Sequence, residues 1–211
     1  MRSNLRTVRT KKGVKKYTYL GCPLTRNRSA WCYRLCEPDR EGHGKCGRIA
    51  PHSLKSAIQL AIAKHNKKLA EIHCAKLERM FMSAACNRYD DPGIKVSSGA
   101  AEIVVSVKKK FRQSSGAVHS SILFKALADS AFYAVNSLVN DVLVSTVGFN
   151  IFLTRSIERG ELIAKGRFTI MAGDHFLADA VLTDSEGKEI GRASGTFVKG
   201  SITLSPRIGY E

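Results

Sequence analysis

The sequence predicts an α+β domain in which one antiparallel sheet curls around a single buried helix, preceded by a long helix and a small cysteine-containing segment. Three observations predict it. Residues 53–84 carry apolar side chains at three- and four-residue spacing, residues 121–138 are apolar on nearly every side, and four segments beyond residue 140 alternate with period two. A helix without a polar face has to be wrapped by other elements, and the concave face of a curled sheet can cover most of it.

Taken in order, residues 1–50 form a basic, Cys-rich segment. Its first 21 residues are poor in apolar side chains and are expected to be mobile. Residues 22–50 hold four cysteines, Trp31 and the turn formers Pro23, Pro38, Gly42, Gly44 and Gly47, and read as irregular loops that need a staple. Residues 51–85 form a helical linker. Pro51 breaks the chain, Ser53 is the expected N-cap, and Leu54, Ile58, Ile62, Leu69, Ile72, Leu77 and Phe81 mark an apolar face. The pattern fits one long helix or two joined near Asn66, packed on the domain or on a second subunit.

Residues 86–205 are the main domain. Asp90-Asp91-Pro92-Gly93 marks a turn, residues 101–107 a strand, and Lys108-Lys109-Lys110 a solvated run. The buried helix spans about 121–138. Strands are expected at 142–153, 161–171, 175–183 and 189–199, with turns at Arg159-Gly160, Gly173-Asp174 and Glu186-Gly187.

Composition narrows the function classes. A hydrophobic content of 44% with 25% charged residues is that of a globular chain. No apolar run reaches the roughly 18 residues that span a bilayer, and the basic N-terminus lacks the apolar stretch of a secretory signal. The chain is expected to be cytoplasmic. The net charge is +16. Thirteen Lys/Arg against three acids in residues 1–50 place ten of those surplus charges there, which points to an anionic partner for that segment.

Chemistry concentrates before and within the buried helix. Gly116-Ala117-Val118-His119-Ser120-Ser121 leads into it, and Asp129 lies inside it between Leu127, Ala128, Ala131 and Phe132. A carboxylate among apolar neighbours must be paired, protonated or open to a cleft. It suits a general base or nucleophile beside helix-start amides that polarise a carbonyl, and it equally suits a structural role.

Residues 112–199 resemble the hotdog-fold thioesterases of the phenylacetyl-CoA thioesterase-like group. The resemblance runs through Gly116-x-x-His119, Leu127-Ala128-Asp129-Ser130-Ala131-Phe132, Thr146, Phe152-Leu153-Thr154-Arg155, Gly160-Glu161-Leu162-Ile163-Ala164 and Asp184-Ser185-Glu186-Gly187-Lys188. It implies a sheet wrapped around a central helix, homodimers or homotetramers with sites between subunits, and hydrolysis of acyl-CoA to free acid and CoA without a cofactor. It also implies roles: Asp129 as base or nucleophile, the amides of His119, Ser120 and Ser121 as oxyanion donors, and Gly116 and Thr146 lining the pocket. Arg155 and Lys165 are expected to meet the CoA phosphates. Two positions depart from the family. Ser120-Ser121 stand where it has Gly-Gly, and one extra residue separates His119 from Asp129.

Cys22, Cys32, Cys36 and Cys46, spaced C-x9-C-x3-C-x9-C with His43 nearby, could close a structural zinc site or hold an iron–sulfur cluster. Unbound thiols and a disulfide are the other readings. Cys74 and Cys86 read as buried small hydrophobes, and His52, His65 and His73 as helix-surface residues. The runner-up function is a non-catalytic acyl-CoA sensor whose basic segment binds nucleic acid.

Overall fold

The computed structural model describes residues 54–211, with side chains from Ile58 onward, together with the backbone of five earlier strands. The chain divides into two compact units, Met1–Lys68 and Leu69–Glu211. In the first, β1 (Leu5–Arg9), β2 (Lys15–Tyr19), β3 (Cys22–Asn27), β4 (Ala30–Arg34) and β5 (Cys46–Gly47) pair in sequence order as an antiparallel meander. The expectation of irregular loops is corrected for these strand residues. Their β-formers, Tyr17, Thr18 and Tyr19 in β2 and Trp31, Cys32 and Tyr33 in β4, carry the strand preference that the surrounding lysines and arginines obscured.

α1 (Leu54–Ser83) is one unbroken helix that crosses the boundary between the units. In the second unit its residues Cys74, Leu77, Met80 and Phe81 are buried, whereas Leu69 and Ile72 of the expected apolar face are exposed. His73 is a correction: it is buried, its Nε2 donating to the Asn136 carbonyl at 2.9 Å and its Nδ1 lying 2.7 Å from the Tyr210 hydroxyl.

The sheet of the second unit comprises β6 (Gly93–Ser97), β7 (Ala100–Ser106), β8 (Val142–Leu153), β9 (Glu161–Ala172), β10 (His175–Thr183) and β11 (Glu189–Thr203). Its order is β6-β7-β9-β10-β11-β8, antiparallel throughout. All six strands pack on α2 (Ser120–Asn136), the expected wrapped helix.

The sequence makes this wrapping possible by keeping the middle of the concave face shallow. Ala101, Gly166, Ala180 and Ala193 stand in register on four adjacent strands and form a row of small residues under the helix. At Gly166 a Cβ would sit 2.1 Å from the Ser130 carbonyl oxygen, so α2 rests almost directly on the β9 backbone. Larger side chains, among them Ile103, Leu162, Leu182, Ile190 and Phe197, fill the space around the row. At the far end of α2, buried Asn136 donates to Val139 O and Val142 O and accepts from Val144 N–H, which ties the helix to the start of β8.

Candidate functional site

The site begins at the turn before α2. Gly116 takes a φ of +88°, and its N–H donates to Gln113 O. An isolated bridge then pairs Arg112 with Val118 and brings His119 to the N-cap. The His119 ring does the capping: its Nδ1 accepts from Ser121 N–H at 3.2 Å and from the Ser121 hydroxyl at 2.8 Å. Of the neighbouring amides, His119 donates to Phe111 O and Ile122 to His119 O. Among the described residues only Ser120 N–H is left without a partner in the stretch from His119 to Ile122. It sits at the positive end of the helix, where an anionic or polarised oxygen is favoured.

His119, Ser120, Ser121 and Phe124 line one side of an open groove of about 350 Å³, and Ile151 and Leu153 of β8 line the other. Asp129 does not line it. Phe124 and Asp129 are five residues apart, roughly 140° around an α-helix.

Asp129 opens instead onto the flank facing Ala85–Arg88, a 3-10 turn, and the loop that follows. Its side chain is 30% exposed and accepts from Lys125 Nζ at 2.7 Å, one helical turn earlier. The same ammonium donates to Asn87 Oδ1 at 2.5 Å and lies 3.4 Å from Asp90 Oδ2. Phe81 of α1 stands under it, its ring centroid 5.4 Å away. Desolvation raises the Asp129 carboxyl above the ordinary aspartate value. The Lys125 hydrogen bond and charge pull it back without cancelling the rise, and the Asp90 charge adds to it. Desolvation opposes the Lys125 charge, but Asp129 and Asp90 outweigh it and hold the ammonium above the usual lysine value. Burial and the nearby Asp129 charge push the Tyr133 phenol up.

The other expected site residues lie elsewhere. Thr146 is exposed on β8, an edge strand of the sheet. Arg155 is held by Asp184 at 2.5 Å and by the Lys188 and Glu189 carbonyls, which makes it a clamp on the β10–β11 turn. Lys165 pairs with Glu102 at 3.3 Å across β9 and β7. Cys36 and the side chains of Cys22, Cys32 and Cys46 lie outside the described residues, as do the side chains of the basic segment expected to meet nucleic acid. Cys86, expected to be buried, is exposed; Cys74 is buried and both are free thiols. Among the described residues no group of His, Cys, Asp or Glu is arranged to hold a metal, and no helix is long and apolar enough to cross a membrane. The residues that the sequence reading missed are Lys125, Asn87 and Asp90. Only Lys125 carried a signal, its i,i+4 spacing to Asp129.

No family model and no curated protein matches the sequence. Solved structures do. The PaaI protein from the phenylacetic acid degradation operon of Escherichia coli superposes with a TM-score of 0.59 at 16% identity, covering 65% of this chain and 99% of that one. A conserved protein from Pseudomonas aeruginosa gives 0.53 at 21% identity over 58% of this chain and 98% of its own. A thioesterase from Haemophilus influenzae gives 0.52 at 13% identity over 57% and 85%. At such identities the likeness shows the fold, and the fold is the hotdog.

Proposed function

We propose that this hotdog domain is an acyl-CoA thioesterase in which Asp129 is the catalytic carboxylate and Ser120 N–H holds the thioester oxygen. The observation that carries the reading is Asp129 itself. It is a largely buried but still partly exposed carboxylate on the wrapped helix whose hold on a proton is raised by desolvation, which are the properties of a general base. Asp129 takes a proton from water, the resulting hydroxide adds to the thioester carbon, and the oxygen that gains charge is held at the helix start. The C–S bond then breaks, the proton held by Asp129 passes to the leaving sulfur so that CoA departs as its thiol, and the acid product loses its own proton to solvent and departs as a carboxylate.

The two groups face different flanks of one helix, so a single chain does not bring them together. They converge when Asp129 of one copy meets the helix start of a second, as the resemblance to the thioesterase family implies. Two features support such a pairing. β8 is an unpaired edge of the sheet, and it presents exposed Val147 and Phe152. The substrate class is tested by incubating the full chain with acyl-CoAs of varied acyl group and following thiol release. Turnover well above background on at least one of them is expected, and background rates on all of them would remove the enzyme reading.

A further inference from the structure

The cluster around Lys125 has more acceptors than it satisfies. Asp90 is buried, its side chain 3% exposed, and its Oδ1 has no hydrogen-bond partner. An unpaired acceptor at such a site is costly and persists where a cation can reach it. Lys125 Nζ is the only ammonium that the described ion pairs bring to Asp90, and at 3.4 Å it is loosely placed there while it sits tightly on Asp129 at 2.7 Å. The titratable groups facing this pair are Tyr133 on α2, and Cys86 and Asp90 on the 3-10 turn and the loop after it. Asn87 Oδ1 and the Phe81 ring complete the surroundings of the ammonium.

From this geometry we infer that Lys125 is a positioning residue that moves between two carboxylates, pairing with Asp129 at rest and with Asp90 when Asp129 must be free to accept a proton. The inference rests on the thioesterase reading for its purpose, but the movement of Lys125 does not. While the ammonium occupies Asp129 Oδ2, it favours the ionised carboxylate but blocks one of its oxygens. A rotation of the flexible lysine stem toward Asp90 fills the orphaned acceptor there and frees the partly exposed Asp129 carboxylate of its lysine. The lysine keeps a carboxylate partner in both positions, and the carboxylate it leaves on moving is the more exposed of the two, 30% against 3%.

The test is a carboxyl-carbon NMR titration of Asp129 in the full chain, compared among wild type, Lys125→Met, Lys125→Arg and Asp90→Asn, with kcat and KM measured alongside. Lys125→Met is expected to move the Asp129 midpoint to higher pH, and Lys125→Arg to keep it near wild type. Asp90→Asn removes a like charge and the competing partner, so the midpoint moves to lower pH. Asp129 is then more fully ionised but permanently occupied, and kcat falls about tenfold or more with KM unchanged. A merely structural Asp90 would not lower kcat while lowering the midpoint. An unmoved midpoint in Asp90→Asn, or an undiminished kcat in it, overturns the inference. If wild type hydrolyses no acyl-CoA, the enzyme reading fails, and the titrations still decide whether Lys125 is shared.

Discussion

Asp129 is a residue whose folded environment works against its charge. Its carboxyl holds a proton more tightly in the folded chain than in the unfolded one, because desolvation outweighs the attraction of Lys125. The stability it contributes is therefore lost as pH rises from the ordinary aspartate value through its raised one. Asp129→Asn is expected to keep or raise thermal stability at pH 7, with a gain over wild type that grows with pH across that window; thermal melts at several pH values check it. A structural ion-pair residue would show the reverse, a loss at neutral pH. Lys125 has the opposite sign: its stabilisation is present at neutral pH and is lost as pH rises through its own raised value. At the helix start, Ser120→Pro removes the one amide left free. Proline fits the first helical position, and His119 already has the extended backbone (φ −64°, ψ 136°) that a following proline requires. The variant should fold and lose about a hundredfold in kcat, as read from thiol release.

At the scale of elements, the close approach of α2 to β9 is the joint on which the domain is built. Gly166→Ala forces a methyl against the Ser130 carbonyl and is expected to cost about 3 kcal/mol or more in chemical denaturation, because backbone on both sides cannot give way. Asn136→Ala leaves Val144 N–H and two carbonyls unsatisfied in a buried place and should cost about 2–3 kcal/mol. These joints explain what the sequence disclosed. The bounds of β8 to β11 were legible almost residue for residue, and alternating burial accounts for it in β10, in the first half of β9 and in most of β11; β8 was legible from its β-formers and flanking turns, since only Val144 in it is buried. α2 was legible because its apolar surround admits only a wrapped position. β1 to β5 were not read as strands, because dense charge and turn residues masked a few β-formers. His73 was misread because a histidine on a helix shows no sign of a tail residue, Tyr210, folding back 137 positions away in sequence. Within the site, Asp129 stood out as a carboxylate among apolar neighbours. Asp90 and Asn87 reach it only through the packing of the loop before β6, which no local pattern encodes.

For the whole molecule, the proposed site is divided between two copies of the chain, as the resemblance to the thioesterase family implies. If Asp129 and Ser120 N–H act across a two-fold interface, Asp129→Asn and Ser120→Pro chains, each inactive alone, should recover about a quarter of the wild-type rate when mixed and re-equilibrated, because half of the dimers are mixed and each of those holds one intact site. No recovery would place both groups in one protomer's site. Val147→Glu on the open edge should give a monomer by sedimentation velocity and abolish turnover without unfolding the domain. The central claim, that Asp129 performs acyl-CoA hydrolysis, is tested most directly by kcat/KM for the best acyl-CoA in wild type and in Asp129→Asn. A loss of about a hundredfold or more is expected, in a variant that melts no lower than wild type; hydrolysis at the wild-type rate in that variant would exclude Asp129 as the base.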